Sequence, residues 1–283
     1  MKKNYKEIFE RMVSNTLQYI EKYGLKSMVL GISGGIDSTV VAFVCHEISK
    51  RTDHKVKFIG VSLPSKTNAD EENCIALGIG KLCDKFIVHS IQEDFENLSS
   101  SFDYSSYLNG IDAMKPLQLG NIKARIRMMY IYNLASLTGG ITMDTDNKTE
   151  HLQGFFTIHG DVFDLNCGLS NLYKHEVYEL AEWIHSNYEM EEPVRNFLRS
   201  SIDIVPTDGN GVLVGGDLAQ IAPGMTYEQV DEVLSSMDDE KALEELRLVK
   251  YPAHLVDGII HRYNRTCFKR ESLPIVLDVV YMN

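Results

Sequence analysis

Four short apolar runs, each separated from the next by a stretch of helical character, leave this chain few folds to choose from. They are Met28-Val29-Leu30-Gly31-Ile32, Phe58-Ile59-Gly60-Val61, Phe86-Ile87-Val88 and Gly140-Ile141-Thr142-Met143. Runs this short and this uniformly apolar read as strands buried on both faces. Between them, Val40 to Ile48 reads as a helix. Asn68 is placed to cap another helix, whose first turn carries Asp70, Glu71 and Glu72 at the end where negative charge is favoured. Ahead of the first strand, Tyr5, Ile8, Phe9, Met12, Val13, Leu17 and Ile20 recur at helical spacing, and Gly24 stops the pattern. Strands alternating with helices predict an α/β fold: a doubly wound parallel sheet with flanking helices. Ligands of such sheets bind beyond the carboxyl ends of the strands, so the loop after the first strand is where chemistry is expected.

That loop reads Gly31-Ile32-Ser33-Gly34-Gly35-Ile36-Asp37-Ser38. Two adjacent glycines let the backbone curl so that several N–H groups face one concavity, and the following helix adds its positive end. Such a site suits a phosphate or pyrophosphate. Ser33 and Ser38 offer hydroxyls, and Asp37 offers a carboxylate oxygen for magnesium. The lysine of the G-x-x-x-x-G-K-[ST] loop is missing, so this is a different phosphate cradle. A bare Gly-Gly turn with Asp37 capping the helix would be the structural alternative. The whole S-G-G-x-D-S string at a strand–helix junction instead resembles the signature of the N-type ATP pyrophosphatases, which cleave ATP between the α and β phosphates. The resemblance implies an adenine nucleotide alpha hydrolase-like fold, with residues 31–38 on ATP.

Three further stretches bear on the acceptor. Asn121-Ile122-Lys123-Ala124-Arg125-Ile126-Arg127-Met128 begins a helix, with Asn121, Arg125 and Tyr132 near one face and Ile122, Ile126 and Met129 on another. Thr145-Asp146-Asn147-Lys148-Thr149-Glu150 precedes Gly154-Phe155-Phe156-Thr157. Asp164-Leu165-Asn166 precedes Leu172-Tyr173-Lys174-His175-Glu176-Val177. In this order, these stretches resemble the motifs of ammonia-dependent NAD synthetases, and Pro206-Thr207, Lys269-Arg270 and Pro274 extend the likeness. The resemblance implies Thr145, Lys174 and Thr207 on ATP, and Asp37 and Glu150 on Mg2+. It also implies Arg125, Asp164 and Lys269 on deamido-NAD, with Asp37, Glu150 and Lys174 carrying the chemistry. Its partners would be ATP, deamido-NAD and ammonia, and its assembly a homodimer with the dinucleotide site across the two-fold interface. Departures from the family pattern fall at Ile158 and His159 in place of a Lys-Tyr pair, at Phe268 in place of histidine, at Asp144 in place of glycine and at Cys167 in place of proline.

The implied reaction is ATP-dependent amidation of deamido-NAD through an adenylated carboxylate, releasing pyrophosphate and AMP. The alternatives are the same ligase chemistry on another carboxylate, or a nucleotide-binding sensor without turnover. About 30 residues precede the phosphate loop, too few for the glutaminase domain some relatives carry. Ammonia is then the expected nitrogen source. A formal net charge of −12 argues against a long nucleic-acid footprint. The five cysteines are scattered and never spaced C-x-x-C, which argues against a disulfide framework or a zinc site; most read as buried free thiols. No apolar run reaches the roughly 20 residues that span a bilayer, and the N-terminus lacks signal-peptide character, so a cytoplasmic location with no membrane partner is expected. Residues 1–283 read as one domain: a core at 25–200, then a C-terminal lid and helical appendage at 201–283. That appendage has a glycine-rich stretch from Pro206 to Asp217, an acidic helical stretch from Tyr227 to Val249, and a last helix from His254 to Arg265.

Overall fold

The computed structural model describes residues 3–101, 116–205, 207, 218 and 221–271. Helix α1 (Tyr5–Tyr23) is capped by Asn4, whose side chain accepts from Glu7 N, and it ends at Gly24 in the left-handed region. Its buried stripe of Tyr5, Phe9, Met12, Val13, Thr16 and Ile20 follows the helical period. Then come β1 (Ser27–Gly31), α2 (Ile36–Arg51), β2 (Lys57–Ser62), α3 (Asp70–Ile79), β3 (Lys85–Val88) and α4 (Gln92–Ser101). After them follow α5 (Pro116–Thr138), β4 (Ile141–Asp144), α6 (Lys148–Gln153), β5 (Leu165–Asn166), α7 (Lys174–Asn187) and α8 (Glu192–Asp203). The C-terminal part holds α9 (Tyr227–Ser235), α10 (Glu240–Glu245), a wide helical turn at Leu246–Lys250, and α11 (Ala253–Arg265).

The strands form one parallel sheet in the order β3-β2-β1-β4-β5. Val29 of β1 lies opposite Ile59 on one side and Thr142 on the other. Side-chain alternation splits the core in two. Met28, Leu30, Phe58 and Met143 face a core filled by α1, α2, α7 and α8, including Phe43, Val40 and Leu180. Val29, Ile59 and Val61 face the opposite core with Ile126, Ile131 and Ala135 of α5. Both faces are therefore covered, which is why the strands read as unbroken apolar runs. The order turns back between β1 and β4, so a crevice opens at the carboxyl end of β1, where the phosphate loop begins.

A third cluster lies in the C-terminal part. Val230, Val233, Leu234, Val256 and Ile259 pack together and against Leu152, Phe155 and Tyr173. The C-terminal helices thus clasp α6 and the start of α7.

Several local expectations are corrected. Ala69, not Asn68, holds the cap position of α3; the Asn68 carbonyl oxygen accepts from Ser65 N (2.9 Å) and Arg127 Nη2 (3.1 Å) instead. Helix α5 already covers Pro116–Thr138, so Asn121 lies inside it and does not begin it. Met129 is exposed, not packed with Ile126. The stretch 227–249 is broken after Ser235, and Asp239 caps a new helix there. Strand β5 has two residues, too few for any periodicity to register. Of the thiols, Cys45 and Cys167 are buried, Cys83 is half-buried, and Cys74 and Cys267 are exposed. The glycine-rich stretch lies almost wholly outside the described residues, as does Pro274.

At Gly78 the helices α3 and α8 come close enough that a Cβ would lie 2.1 Å from the Phe197 ring. An exposed helical Gly→Ala change gains about 1 kcal/mol. Overpacking costs about 1–3 kcal/mol, so Gly78→Ala should destabilise the protein in urea unfolding, by about 1 kcal/mol net.

Candidate active site

The loop from Gly31 to Ser38 is held by its own serines. Gly35 N donates to Ser33 Oγ (3.2 Å), Ser33 N to Ser38 Oγ (3.3 Å), and the Ser38 hydroxyl to Gly35 O (3.1 Å). Gly34 sits at φ 93°, and a Cβ there would lie 2.2 Å from the carbonyl oxygen of Glu72. Only glycine fits both the angle and the space. Gly35 then starts α2 without a side-chain cap, so the positive end of α2 opens onto the crevice.

At the head of that crevice Lys174, the first residue of α7 and 3% exposed, reaches two carboxylates. Its Nζ donates to Asp37 Oδ2 and to Glu150 Oε1, the latter at 3.1 Å. Asp37 comes from the first turn of α2 and Glu150 from that of α6. Asn147 aligns both: its Nδ2 donates to Asp37 Oδ1 (2.9 Å), while its Oδ1 accepts from Glu150 N (3.0 Å) in a capping box. Two oxygen donors converging on one cationic point match what a hard divalent ion requires, with substrate oxygens and water filling the remaining positions.

A cavity of about 280 Å³ joins these parts. Thr145, Glu150, Lys174 and Thr207 line it together with the phosphate loop. Thr207 Oγ1 donates to Glu72, whose other oxygen accepts from Ala69 N (3.3 Å). Arg127 lines the far side, its Nε on Leu63 O (2.9 Å).

The three residues expected on the acceptor stand outside this cavity, around the segment after α6. Arg125 is exposed and donates to Ile158 O (3.3 Å). Asp164 accepts from the Tyr132 hydroxyl (2.9 Å) and the Thr142 hydroxyl (2.8 Å). Lys269 Nζ donates to Gly154 O (2.7 Å) and to Phe156 O. Phe268 is exposed, and His159 adopts a positive φ of 55°. The structure therefore joins the residues expected on the nucleotide into one cavity and leaves those expected on the acceptor as a separate rim.

Sequence reasoning missed several members. Asn147 was legible, since Asn147-x-x-Glu150 is a capping box written in the sequence. Glu72 and Arg127 carried no such sign. Nor did the acidic floor. Asp146 and Asp161 line the cavity, with Asp144 buried beneath. Burial, then the neighbouring Asp144 charge, pushes the Asp146 carboxyl well up; burial also raises Asp144, despite hydrogen bonds from Asn166 and Phe163 N. Asp161 is pushed up to about 6 by burial, against the pull of Thr157 N and Lys269.

A carboxyl raised in the folded state binds its proton more tightly there than in the unfolded chain. Its contribution therefore favours folding at low pH and is lost as pH rises through the folded value. Relative to Asp161→Asn, the wild type should lose stability as pH rises from about 4 through about 6, measured by urea midpoints across that range.

The profile of the NAD synthase family matches residues 8–273. An NH3-dependent NAD+ synthetase from Pyrococcus furiosus is 30% identical over 239 residues, 84% of this chain and 82% of that protein. The solved NMN synthetase from Francisella tularensis superposes with a TM-score of 0.76 at 25% identity, covering 99% of this chain and 100% of the other. The NH3-dependent NAD synthetase from Campylobacter jejuni shares the fold, with a TM-score of 0.70 at 24% identity, over 98% and 100% of the two chains.

Proposed function

The chain belongs to the NAD synthase family, and from that premise we propose that it amidates the nicotinate carboxylate of deamido-NAD with ammonia, using ATP and releasing AMP and pyrophosphate. The observation that carries the proposal is Lys174 bridging Asp37 and Glu150 at the mouth of the phosphate loop. A ligase that makes an acyl adenylate has to stabilise charge on a departing pyrophosphate, and needs no protein nucleophile. The loop amides and the α2 N-terminus hold the phosphates, Thr145 and Thr207 orient the nucleotide, and the Lys174 ammonium turns toward the leaving oxygens. Asp37 and Glu150 fit Mg2+ by donor type, and the ion, when bound, supplies charge neutralisation on the triphosphate.

The substrate carboxylate attacks the α-phosphorus, and ammonia then attacks the acyl carbon and displaces AMP. Ammonia has to be neutral to do so. Asp161 lines the cavity, and its carboxyl, pushed up to about 6 by burial, is a better proton acceptor than an ordinary carboxylate. Such a group attracts ammonium and takes its proton. Arg125, Asp164 and Lys269 then serve the acceptor from the rim. Met129, Tyr130 and Leu137 stand exposed on one side of α5. That apolar side suits a homodimer contact, which would bring a second rim to the acceptor. A cytoplasmic location fits ATP as co-substrate.

Ile158 and Phe268 favour a second reading, in which the acceptor is a nicotinate mononucleotide. They offer neither charge nor hydrogen bond where the family carries lysine and histidine, and an acceptor with one phosphate fewer needs less of both. The likeness to an NMN synthetase points the same way.

Pyrophosphate release from ATP and Mg2+ in ammonium decides between them. Release that depends on deamido-NAD, with NAD formed in equal amount, is the expected result. Release only with nicotinate mononucleotide would transfer the assignment to that acceptor, and release with neither would overturn the synthetase. Lys174→Met should lower kcat by about 100-fold or more, read in the same assay.

A further inference from the structure

Helix α7 begins at the catalytic lysine, yet its own cap residue, Tyr173, provides no side-chain hydrogen bond to the amides that follow. The first amides of a helix have no partner within it, and when buried they require one from elsewhere. Here they find it far along the chain. Lys174 N donates to Thr149 Oγ1 (2.8 Å), and His175 N donates to Asp231 Oδ2 (3.1 Å). The Thr149 hydroxyl in turn donates to Asp231 Oδ1, and His175 Nδ1 hydrogen-bonds Asp231 Oδ2 (2.8 Å). The Asp231 side chain is fully buried.

We propose that Asp231 is a positioning residue for the pyrophosphate clamp: its carboxylate, delivered by α9, caps α7 through His175 N and through Thr149, and so fixes Lys174 relative to Glu150. This rests on the synthetase assignment above. Three observations support it. Thr149 is the residue next to Glu150, so one carboxylate holds both the α6 turn that carries Glu150 and the α7 turn that carries Lys174. A carboxylate is the favoured group at a helix N-terminus. Burial pushes the Asp231 carboxyl up on balance, and hydrogen bonds from Thr149 and His175 only partly offset it. Such a buried charge is retained only where its partners are arranged for it.

Asp231 reaches neither the phosphate loop nor the cavity lining, so its effect on the reaction runs through Thr149 and the two helix starts. A hydroxyl that donates to a carboxylate is left with its lone pairs toward Lys174 N. Asparagine, nearly the same in shape, cannot accept from both Thr149 and His175 N together.

The test compares wild type with Asp231→Asn, Thr149→Val and Thr149→Ser, each checked for folding by thermal denaturation. Binding of Mg2+·ATP and of AMP is measured by calorimetry, beside kcat. AMP lacks the pyrophosphate that the clamp grips. Asp231→Asn should weaken Mg2+·ATP binding and lower kcat by about 10–100-fold, the range for residues that orient a ligating group. AMP affinity should stay within about twofold. Thr149→Val should match Asp231→Asn, Thr149→Ser should recover most of the loss, and the double variant should lose no more than either single one. Loss of both ligands alike, or of neither, would overturn the proposal. Should Asp231→Asn not fold, the Thr149 pair decides: Thr149→Val behaving like wild type overturns it, and selective loss rescued by serine supports it. If wild type releases no pyrophosphate with either carboxylate, the synthetase assignment fails, and the two binding measurements still decide the role of Asp231.

Discussion

The site depends on one buried ammonium. Lys174 is almost wholly removed from water, and the cost of burying its charge is met by Asp37 and Glu150. Those three side chains come from the starts of three different helices, α7, α2 and α6. Each helix start is fixed by something distinct: the glycine turn after β1 for α2, the Asn147 capping box for α6, and the distant Asp231 for α7. Removal of Lys174 leaves two facing carboxylates uncompensated in the crevice, so the ion triad ties sheet, loop and C-terminal helices into one arrangement.

Much of this was written locally. Strands β1, β2 and β4 stood out because both faces of the sheet are covered there, which demands uninterrupted apolar runs, while the edge strand β3 is only half-buried. The loop from Gly31 to Ser38 was recognisable because a phosphate cradle needs glycine at particular backbone angles, and Gly34 at φ 93° shows the need. Asp37, Glu150 and Lys174 were found through motifs, and they do meet in space.

What stayed hidden was tertiary. Asp231 lies 82 residues from Thr149, in a stretch whose pattern announces only an acidic helix, and nothing local says that this carboxylate turns inward. Asn68 has the chemistry of a cap but is drawn away by Arg127, a partner 59 residues on. Asp146 and Asp161 carry no sequence sign of the burial that the sheet and the segment after α6 impose on them. Contacts between residues far apart in sequence leave no periodicity, and each of these was missed for that reason.

Glu72 has a consequence for how the phosphate loop could change over time. Its backbone carbonyl leaves no room for a side chain at Gly34, and its carboxylate holds Thr207. The loop's shape therefore belongs as much to the start of α3 as to its own glycines. Transplanted onto another sheet without α3, the eight residues from Gly31 to Ser38 would keep their letters and lose the wall that shapes them. Because that wall is backbone, position 34 stays glycine whatever side chain stands at 72, so long as the helix beside the loop keeps its place.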